Sequence, residues 1–155
     1  MEKIKYYTPD ISDIRIGYQC QSTNNGKDWY DWEFKEHNFG SLSLELLNSM
    51  YRTSYLTLED IEREGFEKYA HSIDDWFKLK DELRFDTDLQ NFSGYKPYNI
   101  FLNYGFHDYR LHIKADFSGG ADYSDSEMLY DGECKSINEL KQILKQIHII
   151  PFYEG

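Results

Sequence analysis

Six carboxylates, Asp116, Asp122, Asp125, Glu127, Asp131 and Glu133, lie between Lys114 and Lys135 with no basic residue among them. Carboxylates at this density can hold Ca²⁺ or Mg²⁺, but their spacing is not that of an EF-hand loop. They can also imitate nucleic-acid phosphates and occupy a basic channel on a partner. The simplest reading is a solvated hairpin loop. Close by, His107, Asp108 and His112 combine a proton-transferring residue type with a carboxylate. The alternation places His107 in a turn and His112 on the strand face opposite Leu111 and Ile113, so a surface role outweighs a catalytic one. Cys20 is the one nucleophile worth weighing. It alternates with Ile14, Ile16 and Tyr18, which puts it on an apolar face where a thiol is inert. Gly119-Gly120 lacks the Lys-Ser or Lys-Thr of a phosphate-binding loop and reads as a turn.

A different chemistry is available to the aromatic residues. The chain holds 14 Tyr, 10 Phe and 3 Trp, 17% of its 155 residues, more rings than a domain of this size readily buries. Trp29, Tyr30 and Trp32, with Tyr6, Tyr7 and Tyr51, form a candidate contact surface. Adjacent strand residues point to opposite faces, so one of Trp29 and Tyr30 is expected at the surface.

The elements that position these residues are read from periodicity. Ile14, Ile16, Tyr18 and Cys20 alternate with polar residues over 13–21, the turn residues Asn24-Asn25-Gly26-Lys27 follow, and Tyr30, Trp32 and Phe34 alternate again, giving a hairpin. The stretch 41–51 fits both periods and is read as a short helix leading into a strand over 52–56. Thr57 caps a brief helix closed by Gly65. The stretch 73–85 fits either a capped helix or a strand. Tyr98, Ile100, Leu102 and Tyr104 form one strand face, residues 105–108 turn the chain, and Tyr109, Leu111, Ile113, Ala115 and Phe117 alternate without a break. A third strand is expected near 128–134. Ser136 with Glu139 then opens an amphipathic helix whose stripe is Ile137, Leu140, Leu144 and Ile147. The expectation is a single α+β domain over 1–155: an antiparallel meander, a C-terminal helix on one face, and one or two short helices.

The net charge is −11, and residues 57–97 and 98–134 each carry five more acids than bases. Phosphate binding relies on Lys and Arg, so direct nucleic-acid binding is not expected, and basic surfaces are the natural charged partners. Two cysteines, Cys20 and Cys134, make neither a disulfide framework nor a metal site. With no signal-like segment and no membrane-length apolar run, the expected compartment is the cytoplasm. No cofactor is implied.

Three segments carry a resemblance. They are Tyr6-Tyr7-Thr8-Pro9-Asp10-Ile11 with Ile16-Gly17-Tyr18, then Leu58-Glu59-Asp60-Ile61-Glu62 with Gly65-Phe66, and last the run 130–141 from Tyr130-Asp131-Gly132 to Glu139-Leu140-Lys141. In these the chain resembles a family of small proteins of Bacteroidetes genomes and phages, for which no activity is established. The resemblance implies a bacterial or mobile-element origin and assigns no site. Taken with the charge, it suggests a non-enzymatic protein-binding module, in a more specific form an anti-CRISPR inhibitor covering the basic channel of a nucleic-acid-guided nuclease. The candidate surface is Asp116, Asp122, Asp125, Glu127, Asp131 and Glu133 with Trp29 and Tyr30. The alternatives are a metal-dependent hydrolase or nuclease built on the acidic loop and His107, and a phage assembly protein.

Overall fold

The computed structural model describes residues 4–36, 42–69, 76–80, 99–117 and 126–147. These form an α+β fold that divides into two compact units, one comprising 1–57 with 136–138, the other 58–135 with 139–155.

The first unit is built on a four-stranded antiparallel sheet of β1 (Tyr6–Tyr7), β2 (Gln19–Ser22), β3 (Tyr30–Glu33) and β4 (Tyr51–Ser54), in the order β1-β4-β2-β3. Helix α1 (Leu44–Met50) precedes β4, with the Ser43 hydroxyl accepting from the Leu46 N–H as its N-cap. The helix-then-strand reading of this stretch therefore holds. The expected long strand over 13–21 is shorter than the alternation suggests. Ile11–Asp13 forms a single 3-10 turn capped by Asp10, and Gly17 has φ 91°, a left-handed conformation that glycine adopts without strain. That reversal resets the strand phase, leaving Ile16 66% exposed while Ile14 and Tyr18 are buried.

The hairpin loop between β2 and β3 organises itself through short polar side chains. The buried Thr23 hydroxyl accepts from the Gly26 N–H at 2.9 Å, and the Asn25 side-chain oxygen accepts from the N–H groups of Lys27 and Asp28, each at 2.8 Å. Gly26 takes φ 76° at the tip. One face of the sheet then builds an aromatic core. Ile14, Tyr18, Phe34 and Leu47 are buried, with Cys20, Trp32, Leu42 and Tyr51 packed around them. Phe34 lies 5.1 Å from the Tyr51 ring and Tyr18 meets Phe34 edge-on at 6.3 Å. The Tyr18 hydroxyl shares a 2.9 Å hydrogen bond with Thr53 Oγ1, which satisfies both groups in the core.

Residues 136–138 complete this unit. The β2–β4 pairing stops at Gln21↔Arg52. Just past it, the Asn138 side chain accepts from the Gln19 N–H at 2.6 Å and donates to the Gln19 carbonyl at 2.8 Å, taking the place of one more strand residue.

The second unit is a five-stranded antiparallel meander in chain order: β5 (Phe66–Lys68), β6 (Trp76–Leu79), β7 (Asn99–Tyr104), β8 (Arg110–Asp116) and β9 (Ser126–Glu133). Trp76–Leu79 is thus strand. Residues 73–75 and 81–85 lie outside the described residues, as does Tyr98. Helix α2 (Leu58–Arg63) is closed by Gly65 at φ 98°. Leu111, Ile113 and Ala115 of β8 are fully buried, as the alternation requires. Helix α3 (Ile137–Gln146) follows β9. Leu140, Ile143 and Leu144 are buried, whereas Ile147 lies just past the helix end and is only half-buried; Ile143 is a buried residue that the expected stripe omits. Glu139 reaches back to accept from the Lys135 N–H at 2.6 Å.

Among the described residues no helix is long and apolar enough to cross a membrane.

Candidate functional site

The six carboxylates do not form one surface. Asp116 ends β8 fully buried, so it is withdrawn from any solvent-facing set. Asp122 and Asp125 lie outside the described residues. Glu127, Asp131 and Glu133 lie on β9, which closes one side of its sheet. The register sets Asp131 opposite His112 and Glu133 opposite Arg110. Accordingly Asp131 Oδ1 receives Arg110 Nη2 at 2.9 Å and His112 Nδ1 at 3.1 Å, while Glu133 lies 3.6 Å from Lys135 Nζ. Two of the three β9 carboxylates therefore lie beside basic neighbours, on the same sheet for Asp131 and just beyond the strand for Glu133. Exposed pairs of this kind contribute little stability, but they reduce the negative potential facing solvent. Glu127 is exposed beside Met128, which is 54% exposed.

The histidines separate as well. His112 is joined to Asp131, and His107 lies exposed in the turn between β7 and β8. Asp108 serves that turn, its carboxylate accepting from the Arg110 N–H at 3.1 Å. Among the described residues no three His, Cys, Asp or Glu side chains approach closely enough to hold a metal ion.

Cys20 is half-buried against the aromatic core, and Cys134 is fully buried; both are free thiols. Burial pushes the Cys20 thiol up to about 12, far from the range of a nucleophilic thiolate at neutral pH.

The aromatic candidates resolve into different roles. Trp32 and Tyr51 belong to the core side of the first sheet. Tyr7 packs against Tyr55 in a tilted arrangement, ring centres 4.7 Å apart. Trp29 and Tyr6 are both half-buried against the Arg52 guanidinium, whose carbon lies 3.7 Å from the Tyr6 ring centre and 4.3 Å from that of Trp29. Tyr30, by contrast, is 61% exposed. One of the adjacent pair is therefore at the surface, although Tyr30 shares its strand face with the core-side Trp32 and Trp29 precedes the strand. Tyr30 opens β3, which pairs with β2 alone among the described residues and so stands at the end of the sheet order they form. Asp28, Asp31 and Glu33 are exposed along the same segment. The segment offers an exposed tyrosine with Asp31 and Glu33 on the opposite strand face and Asp28 ahead of the strand.

Sequence reasoning missed two residues here. Arg52 has a signal only once its pairing with Gln21 is known, since Tyr6, Trp29 and Arg52 are far apart in the chain. Asn138 carries no local signal, because an asparagine in the first turn of a helix reads as an ordinary polar residue.

No match was found. Neither models of protein families, nor curated proteins, nor solved structures show significant similarity to this chain.

Proposed function

We propose that this chain is a non-enzymatic binding module for a protein with a basic surface, and that the β2–β3 hairpin makes the contact. The observation that carries this reading is Tyr30, 61% exposed on the end strand of the sheet formed by the described residues, with Asp28, Asp31 and Glu33 exposed along the same segment. A tyrosine supplies a large contact area at low conformational-entropy cost, and buried aromatic anchors dominate interface energies. The carboxylates add attraction for Lys and Arg and speed association. A net charge of −11 extends that attraction beyond the contact itself.

In its more specific form the partner is a CRISPR nuclease, the chain is its inhibitor, and the covered surface is a basic guide or target channel. The support for this form is the small acidic chain together with the resemblance to phage and genomic proteins of Bacteroidetes. The working compartment is then the cytoplasm of the infected cell.

Affinity purification from a bacterial lysate, run in parallel with parent and Tyr30→Ala baits, tests the reading. A protein that co-elutes in stoichiometric amount with the parent and is lost from the Tyr30→Ala bait is the expected result. Equal recovery with both baits excludes the hairpin as the contact.

A further inference from the structure

The outward face of the first sheet carries a second feature, which does not depend on the reading above. Strand alternation places Tyr6, Arg52, Gln21 and Asp31 on the face opposite the aromatic core, and Trp29 joins them from the end of the hairpin loop. The Arg52 guanidinium carbon lies over two ring faces, at 3.7 and 4.3 Å. Its Nε donates to Gln21 Oε1 at 2.9 Å. Three separate contacts therefore fix the plane and the rotation of this side chain. Its two terminal amino groups make no hydrogen bond among the described residues, and they reach solvent. The Tyr6 hydroxyl and the Trp29 indole N–H, on the rings that hold the guanidinium, likewise have no protein acceptor among the described residues.

We infer that Tyr6, Trp29 and Arg52 form a binding site for a carboxylate of a partner molecule, held end-on by the two terminal amino groups of Arg52. A guanidinium presents a planar fork that matches a carboxylate with two parallel hydrogen bonds. An ordinary surface arginine loses rotamer freedom on forming such a pair, whereas one already clamped by two rings and an amide loses little. The local charge selects the ligand. Asp31, joined to Gln21 at 3.4 Å, and the exposed Asp28 and Glu33 repel a dianion more strongly than a monoanion. A carboxylate is therefore favoured over a phosphate.

Nuclear magnetic resonance on the ¹⁵N-labelled chain tests this at constant ionic strength. Two carboxylate probes distinguish the sources: N-acetylglycine stands for a chain terminus and N-acetylglutamate diamide, which carries no carboxylate, is the blank for N-acetylglutamate α-amide, which stands for a side chain. Inorganic phosphate is the competing anion. The expected result is a saturable shift of the Arg52 Nε–H and Trp29 indole N–H signals with one or both carboxylates, at dissociation constants on the order of millimolar. Arg52→Lys, which keeps the charge and removes the fork, should weaken that binding about tenfold, as loss of one charge-assisted hydrogen bond does. Trp29→Ala, which keeps Arg52 and releases the clamp, should also weaken it. Shifts that stay linear in every probe, equal binding by Arg52→Lys, or tighter binding of phosphate would each overturn the assignment and leave the clamp as a structural brace. Because the parent titration alone can give the first of these results, the test stands even if a variant fails to fold.

Discussion

Replacing Asn138 by alanine removes both hydrogen bonds that tie Gln19 into the first unit, at 2.6 and 2.8 Å. A net protein hydrogen bond contributes about 0.5–1.5 kcal/mol, so the pair contributes about 1–3 kcal/mol. Gln19 is exposed, and water can reach its backbone groups once the amide is gone. That places the expected loss in the lower half of the range, roughly 1–2 kcal/mol. For a chain of this length such a loss lowers Tm by about 2–8 °C. Asn138→Asp sharpens the test. A carboxylate can still accept from the Gln19 N–H, but it cannot donate to the Gln19 carbonyl and instead sets two acceptors against each other. At neutral pH it should therefore destabilise more than alanine does. Urea unfolding followed by tryptophan fluorescence, with the m-value checked for constancy, measures both variants. An Asn138→Ala protein as stable as the parent, or an Asn138→Asp protein more stable than Asn138→Ala, would refute the view that this side chain completes the β2 ladder.

Other expectations follow from burial and charge. Leu144 is 3% exposed on α3, so Leu144→Ala should cost about 2–5 kcal/mol, read as a fall in urea midpoint. Both cysteines are free, so reducing agent should leave Tm unchanged. The Cys20 thiol, raised from 9.0 to about 12, should resist alkylation at pH 8, where only about one molecule in 10,000 carries the thiolate. Because the folded value is the raised one, this group's contribution to stability is full below the unfolded thiol's range. It declines as pH rises from about 9 towards 12. Reversal of Asp122, Asp125 and Glu127 to Lys should change urea stability little and should slow association with a basic partner at low salt, with chelator having no effect. Loss of binding on chelation would favour the metal-dependent alternative.

The sequence made some elements legible and hid others for physical reasons. Strand β8 was readable because Leu111, Ile113 and Ala115 alternate with polar residues and face a buried layer on one side only. The helix after Ser136 was readable from its stripe and from Glu139 three residues on. The segment around Ile14–Tyr18 misled because an apolar alternation continues across Gly17, and only the backbone reveals the reversal there. The acidic run between Lys114 and Lys135 looked continuous because sequence does not show register. Asp131 and Glu133 meet Arg110, His112 and Lys135 through strand pairing and the turn beyond it, and Asp116 is buried. Tyr30 is legible as an aromatic candidate, whereas its exposure reflects its place on the end strand of the described sheet. The Arg52 clamp depends on three strands meeting, which no local pattern encodes.

The central claim is that the β2–β3 hairpin attracts and anchors a basic partner. Association kinetics of that partner with the parent chain and with an Asp28, Asp31 and Glu33 to Lys triple variant, measured across a range of salt, test it most directly. These side chains are exposed, so the variant should fold as the parent does. The account predicts slower association for the variant at low salt and convergence of the two rates at high salt, where the charges are screened. If the variant associates as fast as the parent at low salt, the hairpin carboxylates do not face the partner and the account is contradicted.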